Sequence, residues 1–451
     1  MNINGKKHSF YFVIVAVLLA GTPLFSQSPP VDNLKLDQFF NRLAEKNKAM
    51  GSMVIAKDGN VVYQRSIGFS QTGPEKKPVT AETKFRIGSI TKMFTAVMIL
   101  QLVQEKKLKL TDTLDRSFPQ IANANKITIA QILAHRSGIH DSLMDRDLRR
   151  DSKTTVISKD ELLSIIAKGK PDFEPDTKYS YSNSGYALLG LIIEKVTGGS
   201  YEEALKKRIT SKIGLKDTYA ATGNIDVSKN EALTYLNLGG GWKPVSETHP
   251  SNLFGSGAIV STPNDLAKFI HALFDLRLIS PAHLELMRTL RDGEGSGMGP
   301  FTFAGKTFYG HTGGADNYGA WLAYLPEEKL AVAYTTNAKV YPVRSIVSGV
   351  VDIFYNKPFT IPSLESVFVS PEVLDKYVGV YSNPDAPVKL TITRDGGTLF
   401  FQPPRESAVE LEATAQDTFQ IEGAVVIQFD VAKGQMTVKR RVGERVFTKE
   451  K

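Results

Sequence analysis

A chain of 451 residues without one cysteine excludes a disulfide framework, a thiolate metal centre and membrane anchoring through an acylated cysteine. Its formal charge of +8 is a modest surplus spread along the chain, and the densest basic run, Lys439, Arg440 and Arg441, sits beside Val438 and Val442 in a period-two pattern that reads as one solvated strand face. No stacking-aromatic motif accompanies that charge, so nucleic acid is excluded as a partner.

Lys6 and Lys7 precede the apolar run Phe10 to Ala20, and small Ser26 closes the segment, which predicts a secretory signal peptide over residues 1–26. The run is shorter than the roughly 20 apolar residues needed to cross a bilayer. The mature chain is therefore expected to carry no integral membrane segment and to be soluble, either periplasmic or secreted. Removal of the segment takes away two lysines and no acids, leaving about 425 residues at about +6, enough for two or three domains.

Residues 34 to 49 then place Leu36, Phe39, Phe40 and Leu43 on one helical face, and Met53 to Val62 reads as two strands joined by the tight-turn pair Asp58-Gly59. From Ser89 to about Val103 the apolar residues Met93, Phe94, Val97, Met98, Leu100 and Leu102 leave almost no polar face, so this helix is expected at the centre of a domain. Further helices are predicted over Ile129–Ala134, Glu161–Ala167 and Tyr186–Val196, the last stopped by Gly198 and Gly199. Gly239-Gly240-Gly241-Trp242 reads as a flexible loop with one anchoring aromatic. Strand patterns return at Lys306–His311, Gly319–Leu325 and Leu330–Thr335, the last two joined by a turn at Pro326-Glu327-Glu328.

Strands at both ends with helices between them imply an antiparallel sheet flanked by helices and topped by a helical insertion, an α+β domain over residues 27–357. A segment richer in proline and serine, 358–371, reads as a linker. Beyond it, over 372–451, short alternating runs at Tyr377–Tyr381, Val388–Ile392, Leu399–Gln402, Phe419–Glu422, Val425–Phe429 and Met436–Val442, with turns at Asp395-Gly396-Gly397 and Lys433-Gly434, predict a small all-β barrel or sandwich.

A serine hydroxyl is a poor nucleophile at neutral pH unless a neighbouring base takes its proton. Ser89-Ile90-Thr91-Lys92 offers one, because residues three apart on a helix share a face. Burial lowers a lysine pKa and a helix N-terminus favours developing negative charge, so the start of an apolar helix suits both groups. The Ser-x-x-Lys pattern occurs once in the chain. There is no Gly-x-Ser-x-Gly elbow and no paired histidines with an acid, so neither an α/β-hydrolase nor a metal site is expected, and no cofactor is implied. His135 and His140 read as loop-packing residues.

Four segments in order, Phe85-Arg86-Ile87-Gly88-Ser89-Ile90-Thr91-Lys92, Ile132-Leu133-Ala134-His135-Arg136-Ser137-Gly138-Ile139, Tyr181-Ser182-Asn183-Ser184-Gly185-Tyr186 and Gly310-His311-Thr312-Gly313-Gly314, resemble the serine β-lactamase and penicillin-binding superfamily. The branch is that of class C β-lactamases, DD-carboxypeptidases, D-aminopeptidases and β-lactamase-like esterases, and the resemblance covers roughly Leu34 to Phe354. It implies Ser89 as nucleophile, with Tyr181 relaying protons and Asn183 orienting substrate and Lys92; whether Lys92 or Tyr181 is the principal base stays open. Tyr235-Leu236-Asn237 and Tyr381-Ser382-Asn383 repeat the Tyr-x-Asn pattern, but only Tyr181 precedes an apolar helix at a family-like distance from Ser89. The resemblance further implies an oxyanion hole from the backbone N–H groups of Ser89 and Gly314, with Thr312 and Gly313 lining the substrate strand.

His311 departs from the Lys-Thr-Gly of the β-lactamases, replacing a fixed cation by a group expected to be only partly charged near pH 7. An acyl-enzyme hydrolase of amides or esters is expected, its substrate a small molecule or short peptide, with a D-stereospecific peptidase or carboxypeptidase and an esterase both open. A weak β-lactamase and a non-catalytic receptor for cell-wall peptides are the competing readings.

Overall fold

The structure is a computed structural model that describes Met1 and residues 31–145, 154–237, 241–293, 295–364, 367–403, 408–421, 425–440 and 443–450. The expected signal segment, Gly239, Gly240, Glu422, Arg441 and Val442 lie outside the described residues.

Helix α1 (Asn33–Glu45) buries Leu36, Phe39, Phe40 and Leu43, the four residues whose spacing defined its apolar stripe. Strands β1 (Ala49–Lys57) and β2 (Asn60–Ile67) form the expected hairpin, with Asp58 and Gly59 both at positive φ as a two-residue turn matching the strand twist requires. The nucleophile helix α2 (Thr91–Gln104) is buried at every residue from Thr91 to Leu102. Its buried donors find carbonyls inside the fold: Thr95 Oγ1 donates to that of Gly255 at 2.7 Å, and Gln101 Nε2 donates to those of Arg208 and Leu278 at 3.2 and 3.1 Å.

The insertion contributes α3 (Ile129–Leu133), α4 (Lys159–Lys168) and α5 (Asn183–Thr197). Helix α5 begins three residues before the predicted start because Ser182 caps it, accepting from Gly185 N at 3.1 Å. Short strands β3 (Phe85–Arg86), β4 (Tyr219–Ala220) and β5 (Ile259–Ser261) form a small sheet beside the nucleophile, in the order β3-β5-β4. Trp242 belongs to a short strand, Trp242–Pro244, paired with Tyr235–Asn237. Helix α6 (Pro263–Phe274) follows, capped by Thr262 with Pro263 in its first turn.

The main sheet is completed by β6 (Gly299–Phe303), β7 (Lys306–Ala315), β8 (Tyr318–Leu325) and β9 (Leu330–Lys339), in the order β6-β7-β8-β9-β1-β2, every pair antiparallel. Period-two alternation sorts its side chains. Ala320, Leu322, Tyr324, Ala331 and Ala333 face the cluster around α2, whereas Trp321, Ala323, Leu325, Val332 and Tyr334 face α1 and α7 (Val343–Phe354). Both faces are covered by helices, so β8 and β9 read as nearly continuous apolar runs. Small alanines on the α2 face let that helix and α6 lie close, and Phe94 of α2 stacks on Phe269 of α6 with centroids 3.8 Å apart.

After α7 the chain is irregular, but Phe359 packs on Phe39 and Leu364 is buried, so the proline-rich segment is held against the first domain. The C-terminal region is a closed antiparallel barrel of β10 (Gly379–Asn383), β11 (Ala386–Asp395), β12 (Thr398–Gln402), β13 (Val409–Ala415), β14 (Thr418–Ile421), β15 (Val425–Asp430), β16 (Gln435–Arg440) and β17 (Gly443–Lys449). The sequence predicts six of these eight strands. It passes over β13 and β17, whose inward residues are sparse, and it places the first strand two residues early, where Tyr377 ends a short helical turn and its ring packs on Phe419 and Phe429. Lys439 faces solvent next to buried Val438, as the alternating basic run predicts.

Candidate active site

Ser89 sits in a tight 3-10 turn, Gly88–Ile90, that leads directly into α2. The turn is held on both sides by one residue of β5. The Ile259 carbonyl accepts from Ile87 N at 3.0 Å, and Ile259 N donates to Thr91 Oγ1 at 3.1 Å. Strand β7 closes against the same turn: a Cβ on Gly313 would lie 1.9 Å from the Ile87 carbonyl oxygen, and one on Gly88, at φ +51°, would lie 2.5 Å from Gly314 N. Glycine at 88 and 313 thus lets two backbones touch where any side chain would separate them.

Lys92 Nζ has three oxygen neighbours: Ser89 Oγ at 3.1 Å, Asn183 Oδ1 at 2.7 Å and the Ser256 carbonyl at 2.9 Å. Burial pulls its pKa down to about 7, opposed by the charge of Asp141. A neutral amine has two N–H bonds and one lone pair. Asn183 Oδ1 and the Ser256 carbonyl can only accept, so they take both hydrogens and the lone pair is left for the Ser89 hydroxyl. The orientation of the Asn183 amide is itself fixed, because its Nδ2 donates to Asp141 Oδ2 at 2.8 Å. Asp141 Oδ1 also accepts from Ser184 N at 3.0 Å, at the first turn of α5.

Tyr181 precedes that helix with its ring centroid 4.7 Å from Lys92 Nζ, and it stacks on His135 at 4.4 Å. His135 is therefore more than loop packing: it is buried in the cleft wall, its Nδ1 accepts from Ser182 N at 3.0 Å, and burial holds its pKa well below the usual value. His140 is half exposed between Asp172 at 2.8 Å and Asp145 at 3.1 Å, carboxylates that raise its pKa. The other two Tyr-x-Asn copies lie elsewhere. The Tyr235 hydroxyl accepts from Thr72 N at 2.8 Å, and the Tyr381 hydroxyl donates to the Tyr377 carbonyl at 2.8 Å inside the barrel.

His311 lies on β7 with its ring 6.3 Å from that of Tyr181. The expectation of a partly charged imidazole is corrected: burial, then the charge of Lys92, lowers its pKa to about 4, so it is neutral at pH 7. A carbonyl can only accept, so the 2.5 Å contact with the Thr312 carbonyl puts the proton on Nδ1 and leaves Nε2 as an acceptor. Ser89, Lys92, Tyr181, Asn183, His311, Thr312, Gly313 and Gly314 are thus gathered from three separate segments. Asp141 and the Ser256 carbonyl join them unannounced by any spacing, since each meets its partner only through the fold. Among the described residues no cluster of three or more histidine, cysteine or acidic side chains could hold a metal ion. No helix among them is long and apolar enough to cross a membrane.

Penicillin-binding protein 4* of Bacillus subtilis (strain 168) is 24% identical to this chain over 434 residues, which is 90% of this chain and 94% of that protein. Among solved structures, D-amino acid amidase from Ochrobactrum anthropi SV3, complexed with D-phenylalanine, is similar with a TM-score of 0.63 at 26% identity, over 71% of this chain and 99% of that one. The octameric penicillin-binding protein homologue from Pyrococcus abyssi is similar with a TM-score of 0.64 at 26% identity, over 92% of this chain and 100% of that one. Residues 367–440 match a family described as a domain of unknown function (DUF3471). Residues 36–347, well over half of the chain and all of the cleft, match the family described as Beta-lactamase, and to that family of serine hydrolases the protein belongs.

Proposed function

We infer that the protein is an exported hydrolase of amide or ester bonds of D-amino acids, working through an acyl-enzyme on Ser89. The observation that carries this reading is the amine of Lys92, 3.1 Å from Ser89 Oγ and with a pKa near 7. About half of it is unprotonated at neutral pH, with its lone pair turned to the serine. Ser89 Oγ attacks the carbonyl carbon as Lys92, directly or through Tyr181, takes the hydroxyl proton. The N–H groups of Ser89 and Gly314 hold the oxyanion. The same proton passes to the leaving amine or alcohol, and water then releases the acyl group by the reverse route.

A neutral His311 offers no charge to a carboxylate, which favours amides and esters over β-lactams or peptides with a free C-terminal carboxylate. The D-amino acid amidase neighbour supports the D hand and the amide bond. A receptor without turnover would not need the lone-pair geometry at Lys92. Export rests on Lys6, Lys7 and the apolar run to Ala20, and N-terminal sequencing of the protein recovered from the cell exterior or periplasm tests it. The catalytic reading is tested with D-phenylalanine amide and p-nitrophenyl acetate. Wild type is expected to turn over both and to be labelled at Ser89 by a fluorophosphonate, whereas Ser89→Ala loses at least about 10⁴-fold in kcat. Unlabelled wild type, or activity surviving in Ser89→Ala, would refute it.

A further inference from the structure

A cavity of about 160 Å³ shares Tyr181, His311 and Thr312 with the active site, and its walls also include His135, Tyr179, Met298 and Phe301. We propose that this cavity is the side-chain pocket of the hydrolase and takes one uncharged ring or branched aliphatic group, which makes amides and esters of apolar D-amino acids the substrate class. The inference rests on the acyl-transfer reading above and gives it a specificity.

Position is the first argument. Tyr181 is shared between the pocket and the relay, since its ring lies 4.7 Å from Lys92 Nζ, and His311 and Thr312 of β7 are shared with the strand beside Gly314. A group seated in the cavity therefore touches side chains that the proton relay and the substrate strand also use. Size is the second. A cavity of about 150 Å³ lined by apolar side chains is known to hold a benzene ring. The wall has no slack behind it: a Cβ on Gly297 would lie 2.8 Å from Ala96 Cβ, and one on Gly310 would lie 1.9 Å from the Leu322 carbonyl oxygen.

Charge is the third. The described side chains of the wall include no lysine, arginine or acid. Both histidines are held neutral by burial, His135 well below its usual pKa and His311 at about 4. An ammonium or carboxylate entering this space would meet no counter-ion on its described walls. Phe301, braced on Trp321 at 4.7 Å, and the packed rings of Tyr181 and His135 instead give the cavity a wall of aromatic carbon.

The test compares kcat/KM for p-nitroanilides of D-alanine, D-leucine, D-phenylalanine, D-lysine and D-glutamate, with p-nitrophenyl acetate, which has no side chain, as a separate reporter of Ser89 chemistry. The leucine and phenylalanine substrates are expected to exceed the lysine and glutamate ones by at least about tenfold. Phe301→Ala, which removes one wall, is expected to change the D-phenylalanine to D-alanine ratio at least about fivefold. Should that variant fail to fold, Tyr179→Ala, on a loop outside the sheet, supplies the same ratio. If the acetate is hydrolysed through Ser89 while charged side chains are accepted as well as apolar ones, or if neither substitution moves the ratio, the pocket is refuted and the acyl-transfer reading stands. If the acetate is not hydrolysed and Ser89 takes no label, the underlying reading fails and the pocket falls with it.

Discussion

Lys92 can serve as a base because two neighbours that only accept hydrogen bonds occupy both of its hydrogens, and its pKa near 7 lets the proton leave at physiological pH. Only the unprotonated amine can take the Ser89 proton, so kcat/KM is expected to rise with pH through about 7 and to fall about tenfold per unit below it. Asp141 opposes that lowering. Asp141→Asn removes the charge, the Lys92 pKa drops further, and the acid limb of the kcat/KM profile is expected to move to lower pH. A role confined to packing would lower the rate without moving the limb. The same substitution loosens the Asn183 amide, whose Nδ2 loses a charged acceptor at 2.8 Å, so a fall of roughly tenfold in kcat is expected as well. Ser89 and Lys92 are legible in the sequence because three residues along a helix is a spacing. Asp141 is not, because its partners lie 42 and 43 residues away on another helix and only packing brings them together.

Strand β7 places two glycines against the nucleophile turn, and this contact is the most easily broken part of the site. Gly313→Ala would drive a methyl group into the Ile87 carbonyl, so the strand must retreat and carry Gly314 N away from Ser89. We expect at least about a 10²-fold loss of kcat/KM with a much smaller loss of stability, measured by esterase assay beside thermal melting. The helices and strands around the site are largely readable from periodicity: the α1 stripe and the Asp58-Gly59 turn stand as their patterns predict. Helix α6 has an equally clear pattern in Thr262, Pro263, Leu266, Phe269, Ile270 and Leu273, yet no element is assigned from the sequence between Trp242 and Lys306. Strand β13 hides for a different reason: only Leu411 among its residues is fully buried, so it lacks the alternation that marks a strand.

Sheet order and domain docking depend on contacts between distant segments, and no local pattern states them. β1 lies between β9 and β2, so residues near 50 pair with residues near 335. The barrel is fastened to the hydrolase domain by Lys48, whose Nζ reaches Glu412 of β13 at 2.7 Å with the lysine 4% and the glutamate 15% exposed. Breaking a buried pair leaves a charge without a partner, at a cost of about 3–5 kcal/mol. Glu412→Gln is therefore expected to uncouple the two regions, turning one calorimetric transition into two, and Lys48→Met combined with Glu412→Gln is expected to cost less than the sum of the single changes.

The dependence of the nucleophile turn on Ile259 and on β7 also governs when activity can begin during synthesis. Ser89 and Lys92 emerge early, whereas the strand that holds their turn and the strand carrying Gly314 are more than 160 residues downstream. Such contacts form late, because closing long loops is slow. A chain still being synthesised therefore carries an unassembled cleft and meets no substrate with it. Ribosome-bound or truncated chains ending before Gly310 are expected to take no fluorophosphonate label, and labelling is expected to appear only once the chain extends past Lys339.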